Sequence, residues 1–293
     1  MKKILLHFFL LFTSISFAKI KVGVTMLPYY CYVSNIVGDK MEVVPLVPEN
    51  INTHSYDATP KDVKKLASVD VVVINGIGND EYVYPMLRAA KKTNPNIKVI
   101  NANETANLLY ISGQKNSKIN NVHTYISITQ SIKQIDYIAQ KLGEIDPANA
   151  TFYKKNAKMY DSKLRKIKQD ALAKVKGKTK NIKIATSHAG YDYLLAEFGL
   201  TVSTVVEPSY TQSPTASDLK LAIEKIKTSK IDILFDEELS NHKNANTIKK
   251  DTGIYIATLN HMTQGAYSKN AFEKFIIENM NSVTNAILEI SKN

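Results

Sequence analysis

Residues 59–74 have the sequence TPKDVKKLASVDVVVI, and residues 215–235 have the sequence TASDLKLAIEKIKTSKIDILF. Each stretch opens with a threonine that can cap a helix and closes with an apolar, β-branched run that is typical of a buried strand. In the first copy, Pro60 occupies the first helical position. Proline is favourable there because the first N–H groups of a helix have no hydrogen-bond partner within the helix. The repeat predicts two lobes of similar α/β construction.

Short apolar runs continue this alternation on both sides of the repeat. Each half contains four runs separated by longer segments of helical periodicity, which is typical of βαβ units and of parallel sheets covered by helices. The runs span residues 20–25, 43–47, 69–74 and 98–101 in the first half, and 182–186, 202–207, 231–235 and 254–258 in the second. Because open α/β sheets bind ligands beyond the carboxyl ends of their strands, two facing lobes are expected to enclose a ligand.

The segment between the two series is predicted to be helical. One helix is expected from about Ser127 to Leu142, and Asp146-Pro147 then begins an Ala-, Lys- and Tyr-rich pattern that lasts to about residue 176. About 30 helical residues would extend ~45 Å, so one continuous connector is favoured over two helices broken near Lys158. The predicted organisation is an N-terminal lobe over residues 19–145, a connecting helix over residues 146–178 and a C-terminal lobe over residues 179–293.

The N-terminus has the pattern of an export signal. Lys2-Lys3 precede an apolar stretch over residues 4–12, which is too short to span a bilayer, and small residues end at Ala18. A signal peptide over residues 1–18, cleaved near Ala18, would deliver the mature protein to the periplasm. The predicted cleavage point has no cysteine for lipid attachment.

The composition excludes several classes of protein. A content of 44% hydrophobic and 22% charged residues is ordinary for a globular chain and argues against disorder or a coiled coil. Lysines spread along helical segments account for much of the net charge of +11, without an aromatic-rich RNA-binding motif. An exported protein with this pattern is not expected to bind nucleic acid. A monomer is expected as well. Cys31, the single cysteine, cannot form an intramolecular disulfide and is predicted to be buried on a helix.

Three histidines lie at predicted strand or loop ends, namely His54, His123 and His188. Neutral imidazole is the commonest metal ligand in proteins, and three imidazoles would give zinc an incomplete tetrahedron with bonds of ~2.0 to 2.1 Å. Acidic pH is expected to weaken binding, because imidazole must be neutral to coordinate. Two other classes remain open: an adhesion module, and a zinc hydrolase whose general base would be one of the carboxylates Asp57, Glu207 and Glu237.

Several motifs resemble those of the zinc- and manganese-binding solute receptors of ABC importers, the ZnuA/TroA-like family. The motifs are HSYDATPKD at residues 54–62, NGIG at 75–78, NVH at 121–123 and SHAGYDYL at 187–194, and the resemblance covers nearly the whole mature chain. It implies two lobes joined by one long helix, a metal ion in the interlobe cleft, and a membrane permease as partner. It also implies a receptor instead of an enzyme, with His54, His123 and His188 in the positions of the family's first three ligands.

The position of the fourth ligand departs from this family. The fourth ligand of the family is an aspartate, and this chain has Asn260 at that position, followed by His261. Three solutions are open: Asn260 binds weakly, His261 turns towards the metal, or water completes the shell. A fourth interpretation, that His261 is an ordinary surface residue, is open as well. Neighbouring side chains of an extended segment point to opposite sides, which favours an open or weakly completed site at Asn260. We expect a structural hydrogen-bonding role for Glu237 and an exposed position outside the site for His242.

The ligand types indicate which ion is bound. Three imidazoles without an assured carboxylate favour the later, softer first-row ions over manganese. Zinc is therefore the predicted ion, with manganese as the alternative.

Overall fold

The computed structural model describes residues 18–112, 118–207 and 214–292, and these ranges contain two parallel four-stranded sheets. Residues 1–17, which carry nearly all of the predicted export signal, lie outside the described residues. Within the described ranges, no helix is both long enough and apolar enough to cross a membrane.

The two sheets have the same topology. The strands of the first sheet are β1 (Lys21–Val24), β2 (Glu42–Pro45), β3 (Val71–Ile74) and β4 (Lys98–Asn101). Those of the second are β5 (Ile184–His188), β6 (Val202–Glu207), β7 (Ile233–Glu237) and β8 (Tyr255–Leu259). The strand orders are β2-β1-β3-β4 and β6-β5-β7-β8, so corresponding strands occupy corresponding places. The prediction of two parallel α/β lobes is confirmed.

Helices connect the strands and cover the sheets. They are α1 (Leu27–Val37), α2 (Pro60–Ala67), α3 (Val83–Ala90), α4 (Ile128–Ile145), α5 (Ala150–Lys174), α6 (Asp192–Ala196), α7 (Ala216–Ser229), α8 (Lys243–Thr252) and α9 (Ala271–Ile290). Thr59 and Thr215 cap α2 and α7 through complete capping boxes, each with an aspartate three residues further on. Both helix starts predicted from the repeat are therefore confirmed.

Helix α5 is the predicted long connector. It runs without a break for 25 residues, or roughly 38 Å at the usual rise per residue. The alternative of two helices broken near Lys158 is wrong. The helix is shorter than predicted from the sequence pattern, because Pro147–Asn149 form a separate 3-10 turn before it.

One apolar core extends through both lobes. It contains residues of the first and second sheets together with α1, α4, α5 and α9. Tyr32 on α1, for example, makes an edge-to-face contact with Phe272 on α9, with ring centroids 4.9 Å apart. Cys31 lies in this core as predicted, and its thiol donates to the carbonyl of Ser268 at 3.2 Å.

A glutamate of the second lobe also caps a helix of the first. Glu197, directly after α6, accepts hydrogen bonds from the Ser127 hydroxyl at 2.6 Å and the Thr129 backbone N–H at 2.7 Å, at the start of α4. It forms an ion pair with Lys168 on α5. A carboxylate at a helix N-terminus is favourable for the helix dipole, so this contact joins three elements near the cleft.

Candidate metal centre

The carboxyl ends of the strands from both lobes converge on one cleft. His188 is the last residue of β5, and His261 follows the end of β8 by two residues. His54 lies in the loop between β2 and α2, and His123 lies directly before the 3-10 turn Thr124–Ile126 that leads into α4. Each histidine therefore enters the cleft from a loop or strand end, as expected for ligands of α/β sheets.

The three histidines singled out from the sequence lie together. His54, His123 and His188 each offer a ligand atom within 4.8 Å of the other two. The Nε2 atoms of His54 and His123 are 3.0 Å apart, and the ring of His188 is centred 5.2 Å from that of His123. Since the first two come from the N-terminal lobe and the third from the C-terminal lobe, an ion bound here would bridge the lobes.

Two asparagines hold the histidines of the first lobe. Asn52 Oδ1 accepts the backbone N–H of His54 at 3.0 Å, and Asn121 Oδ1 accepts that of His123 at the same distance. Asn121 Oδ1 also lies 2.9 Å from His123 Nδ1. An oxygen acceptor at Nδ1 fixes the proton there and leaves the Nε2 lone pair for a metal. Asn121 in turn donates to Asp192 of the second lobe at 2.7 Å.

The second lobe places His261, and not the Asn260 amide, against the other imidazoles. The ring of His261 is centred 4.1 Å from that of His188 and is stacked on that of His123 at 5.0 Å. Asn260 Oδ1 accepts the backbone N–H of Met262, and its amide nitrogen donates to Glu238 at 2.7 Å. The expectation that the side chain beside Asn260 points away from the site is therefore wrong.

The reason is a turn that begins where β8 ends. Strand alternation applies only to extended backbone, and Leu259 is the last residue of the strand. Met262 has a φ of 60°, in the left-handed region, and its N–H is held by the Asn260 side chain. This turn carries the His261 ring towards the first lobe.

Burial keeps the clustered imidazoles neutral. It lowers the pKa of His54 to about 4, and it lowers that of His188 to about 3 with a further contribution from the nearby His54. The pKa values of His123 and His261 are also well below the ordinary value, because of burial and the neighbouring imidazoles. Neutral imidazoles are the form that coordinates a metal ion.

A carboxylate lies behind His261. Glu237 Oε2 is 3.3 Å from His261 Nδ1 and accepts a 2.6 Å hydrogen bond from the Tyr191 hydroxyl. Burial raises the pKa of Glu237 to about 7, although the hydrogen bond from Tyr191 opposes this shift. The predicted hydrogen-bonding role of Glu237 agrees with these contacts.

The cluster faces a cavity of about 230 Å³. Its lining is mainly polar and comes from both lobes: Asn52, Thr53, His54, Tyr125, His188, Glu207, Glu237, Leu239, Ser240, Asn260, His261, Thr263 and Gln264. The volume suits an ion with a few waters better than a large organic ligand.

His242 lies apart from this cluster, as predicted. It immediately precedes α8, and its side chain is 41% exposed. Its Nδ1 is 2.7 Å from Asp236 Oδ2. His242 thus pairs from the surface with a buried carboxylate, whereas His261 contacts its carboxylate inside the cleft.

The sequence interpretation missed the partners that orient the imidazoles. Asn121 and Tyr191 lie within the motifs that were recognised, but neither was assigned a role. A signal for Asn121 was present, because Asn-x-His occurs twice, at residues 52–54 and 121–123. Asparagine two residues before a given position often accepts its backbone N–H.

Comparisons with known proteins agree with this geometry. The family model described as "Zinc-uptake complex component A periplasmic" (ZnuA) matches residues 22–286. The metal ABC transporter substrate-binding lipoprotein FimA of Streptococcus parasanguinis is 29% identical over 243 residues, which are 81% of this chain and 78% of FimA.

Solved structures of one protein cover almost the whole chain. The substrate-binding protein FpvC of Pseudomonas aeruginosa in complex with Ni²⁺ is 40% identical, with a TM-score of 0.85 over 93% of this chain and 98% of its own. The same protein with Mn²⁺ has 40% identity and a TM-score of 0.86, over 93% of this chain and 99% of its own.

Proposed function

Because the chain belongs to the zinc-uptake complex component A family, we propose that it is an exported receptor that delivers a divalent transition-metal ion to the permease of an ABC importer. Zinc is the proposed ion, and manganese is the alternative. The proposed ligands are His54, His123 and His188. The observation that carries this proposal is the approach of their ligand atoms to within 4.8 Å of one another, from two lobes.

The chemistry of the cleft supports zinc. Imidazole nitrogens suit zinc and the other late first-row ions, whereas manganese prefers oxygen-rich sites. The pKa of each of the three imidazoles is lowered by burial, so no proton has to be removed before coordination at neutral pH. Metals named for the relatives include Mn²⁺ and Ni²⁺ for FpvC, and these ions therefore belong in the same titration.

We propose a binding role without catalysis. FimA is named as a substrate-binding protein, and the general bases considered from the sequence have other surroundings. Asp57 is exposed, Glu207 accepts a hydrogen bond from Asn244 at 3.3 Å, and Glu237 contacts Tyr191 and His261. The proposal further includes export by a signal peptide cleaved near Ala18, a periplasmic location, a monomeric state and no nucleic-acid partner.

The test is a metal titration of the untagged mature protein after chelation. Zinc should bind with one ion per chain, and it should raise the melting temperature because it binds the native state. The stabilisation is about 2.7 kcal/mol at a zinc concentration 100 times the Kd. Competition by manganese then ranks the two ions. Identical melting of the chelated and zinc-treated proteins would contradict a receptor role.

A further inference from the structure

We propose that His261 is the fourth nitrogen ligand of the site, and that Glu237 and Tyr191 are the positioning residues that hold it. This inference rests on the proposed function. It concerns Asn260 and His261, where the family has an aspartate ligand. It assigns a donor set of four imidazoles, two from each lobe.

The Asn260 side chain has other partners. Its Oδ1 accepts the Met262 N–H at 2.7 Å, and its Nδ2 donates to Glu238 Oε2 at 2.7 Å. An amide that turned towards the metal would break both contacts in a largely buried position, where lost hydrogen bonds are costly. Asn260 therefore shapes the turn that carries the next residue.

His261 is held between aromatic rings with an open nitrogen. It is stacked on Tyr191 at 4.6 Å on one side and on His123 at 5.0 Å. Its Nε2 is buried and has no hydrogen-bond partner among the residues that the structure describes. A buried, neutral nitrogen without a partner is unfavourable unless a ligand uses it.

Gly190 makes room for this arrangement. A Cβ atom at this position would lie 2.5 Å from His261 Nε2 and 2.8 Å from Cδ2 of His188. Both rings therefore approach the backbone at a point where any side chain would displace them. The absence of a side chain permits His261 and His188 to lie 4.1 Å apart, centre to centre.

Glu237 and Tyr191 select the form of His261 that can coordinate. Glu237 Oε2, 3.3 Å from His261 Nδ1, favours a proton on Nδ1 and so leaves the lone pair on Nε2. The Tyr191 hydroxyl lies 2.6 Å from that same carboxylate oxygen and 2.9 Å from the Leu259 carbonyl, and it shares its single proton between these two acceptors. A carboxylate behind a metal-binding imidazole is the usual way to orient the ring and increase its basicity.

A fourth imidazole changes which ion the site prefers. Replacing a hard oxygen donor by nitrogen favours zinc and nickel over manganese. The inference therefore predicts that His261 contributes more to zinc affinity than to manganese affinity. Removal of the ring should lower the ratio of zinc to manganese affinity.

The experiment compares His261→Ala with two controls in the full mature protein. Zinc and manganese affinities are measured by competition, and Co²⁺ replaces zinc as an absorption probe of the number of nitrogen donors. We expect His261→Ala to weaken the zinc affinity by more than 100-fold and to shift the Co²⁺ spectrum. Loss of a residue that only supports a ligand usually costs about 10- to 100-fold in metal affinity. His242→Ala should leave the zinc affinity within about threefold. Asn260→Ala removes the side chain that shapes the turn, so it should cost less zinc affinity than His261→Ala and leave the number of nitrogen donors in the Co²⁺ spectrum unchanged. His242 is a matched control, because it also pairs with a carboxylate but lies outside the cleft.

The positioning role has its own series of variants. Glu237→Leu should weaken zinc about 10- to 100-fold, and Glu237→Gln should recover part of the loss because its carbonyl can still accept from Nδ1. Tyr191→Phe should have a smaller effect in the same direction. Circular dichroism and melting of the metal-free variants separate loss of binding from loss of fold.

The outcomes separate this inference from the proposed function. An unchanged zinc affinity and Co²⁺ spectrum in His261→Ala, together with a large loss in His123→Ala, would overturn the inference and leave the receptor role intact. A Co²⁺ spectrum that changes in Asn260→Ala and stays unchanged in His261→Ala, with the fold preserved, would assign the ligand to Asn260. Absence of metal binding by the unaltered protein would contradict both.

Discussion

In the first lobe, asparagines two residues upstream hold the histidine loops, whereas in the second lobe His261 contacts a carboxylate on a neighbouring strand. Asn121 Oδ1 accepts a hydrogen bond from the backbone N–H of His123 and also lies within hydrogen-bond distance of its Nδ1. Glu237 reaches His261 from the end of β7 and is itself fixed by Tyr191. One half of the site is thus organised by local turns, and the other by tertiary contacts between strand ends.

The difference shows how similar lobes reach a common site by different means. The sheets have the same strand order, so their carboxyl ends offer similar positions for side chains. A neutral amide orients His123, whereas an ionisable carboxyl group contacts His261. The first half is therefore expected to be insensitive to pH changes near neutrality, and the second half contains a group that titrates there.

The largest effect is expected when either half loses an imidazole. His123→Ala and His188→Ala should each weaken zinc by more than 100-fold, because both lobes are proposed to supply ligands. Calorimetric titration of the two variants measures the losses, and His242→Ala serves as the surface control. A large loss in one variant and none in the other would mean that a single lobe holds the ion.

Removal of the local acceptor tests the first half directly. Asn121→Ala should weaken zinc about 10- to 100-fold, since His123 then lacks the oxygen that fixes its proton on Nδ1. Asn121 also bonds to Asp192, so the melting temperature of the metal-free variant must be measured alongside the affinity. Unchanged zinc affinity in a folded variant would show that His123 needs no acceptor.

The pH dependence should differ from that of exposed imidazoles. His54 and His188 have pKa values of about 4 and about 3 in the folded protein, below the ordinary value of 6.5. At a pH between the folded and the ordinary pKa values, the two histidines bind more protons in the unfolded chain than in the folded one. The stability of the metal-free protein should therefore fall as the pH decreases from 6.5 towards 4. Melting curves of the chelated protein across this range measure the effect.

The native protein should nevertheless retain zinc into mildly acidic conditions. Its clustered imidazoles stay neutral well below pH 6.5. The acid weakening of metal binding that the sequence predicts should therefore begin at a lower pH than it would for exposed histidines. The zinc Kd should change by less than about tenfold between pH 7.5 and 5.5. A steeper loss that disappears in Glu237→Gln would identify the carboxylate half as its source.

The smallest effect is expected at a carboxylate outside both halves. Asp161 on α5 is buried, and burial together with the charge of Asp136 raises its pKa to about 6. A raised folded pKa means that stability is lost as the pH increases through about 4 to 6. Asp161→Asn should raise the melting temperature by about 1 to 3 °C at pH 7 and by nothing near pH 4. Its zinc affinity should equal that of the unaltered protein.

Much of the fold could be predicted because it depends on local patterns. Each of the eight strands lies within or overlaps an apolar run of the sequence, and the two capping boxes are visible as threonine followed by aspartate three residues later. The continuity of α5 followed from its helical periodicity. Its start was placed too early, because the pattern does not distinguish the 3-10 turn at Pro147–Asn149 from the helix.

The site was less predictable where it depends on turns and distant contacts. His54, His123 and His188 could be singled out by their positions after strands and by the family resemblance. The orientation of His261 could not, because the alternation rule fails where β8 ends and Asn260 starts a turn. Its contact with Glu237 joins two strand ends, and no spacing in the chain encodes that approach.

The capping of α4 by Glu197 has a consequence for how a transporter could recognise a loaded receptor. With α5 running past both lobes and Glu197 bonded to the start of α4, a wide hinge rotation would break a partly buried, charge-assisted network. At the rim of the cleft, the Gly265 N–H donates to Asn50 at 2.8 Å and the Tyr267 N–H donates to Glu49 at 3.0 Å, and both acceptors are exposed. We therefore expect occupancy to be signalled at this rim, by small changes in surface shape around the His54 loop. Hydrogen exchange with and without zinc should locate the change there and leave the interior of α5 unaltered.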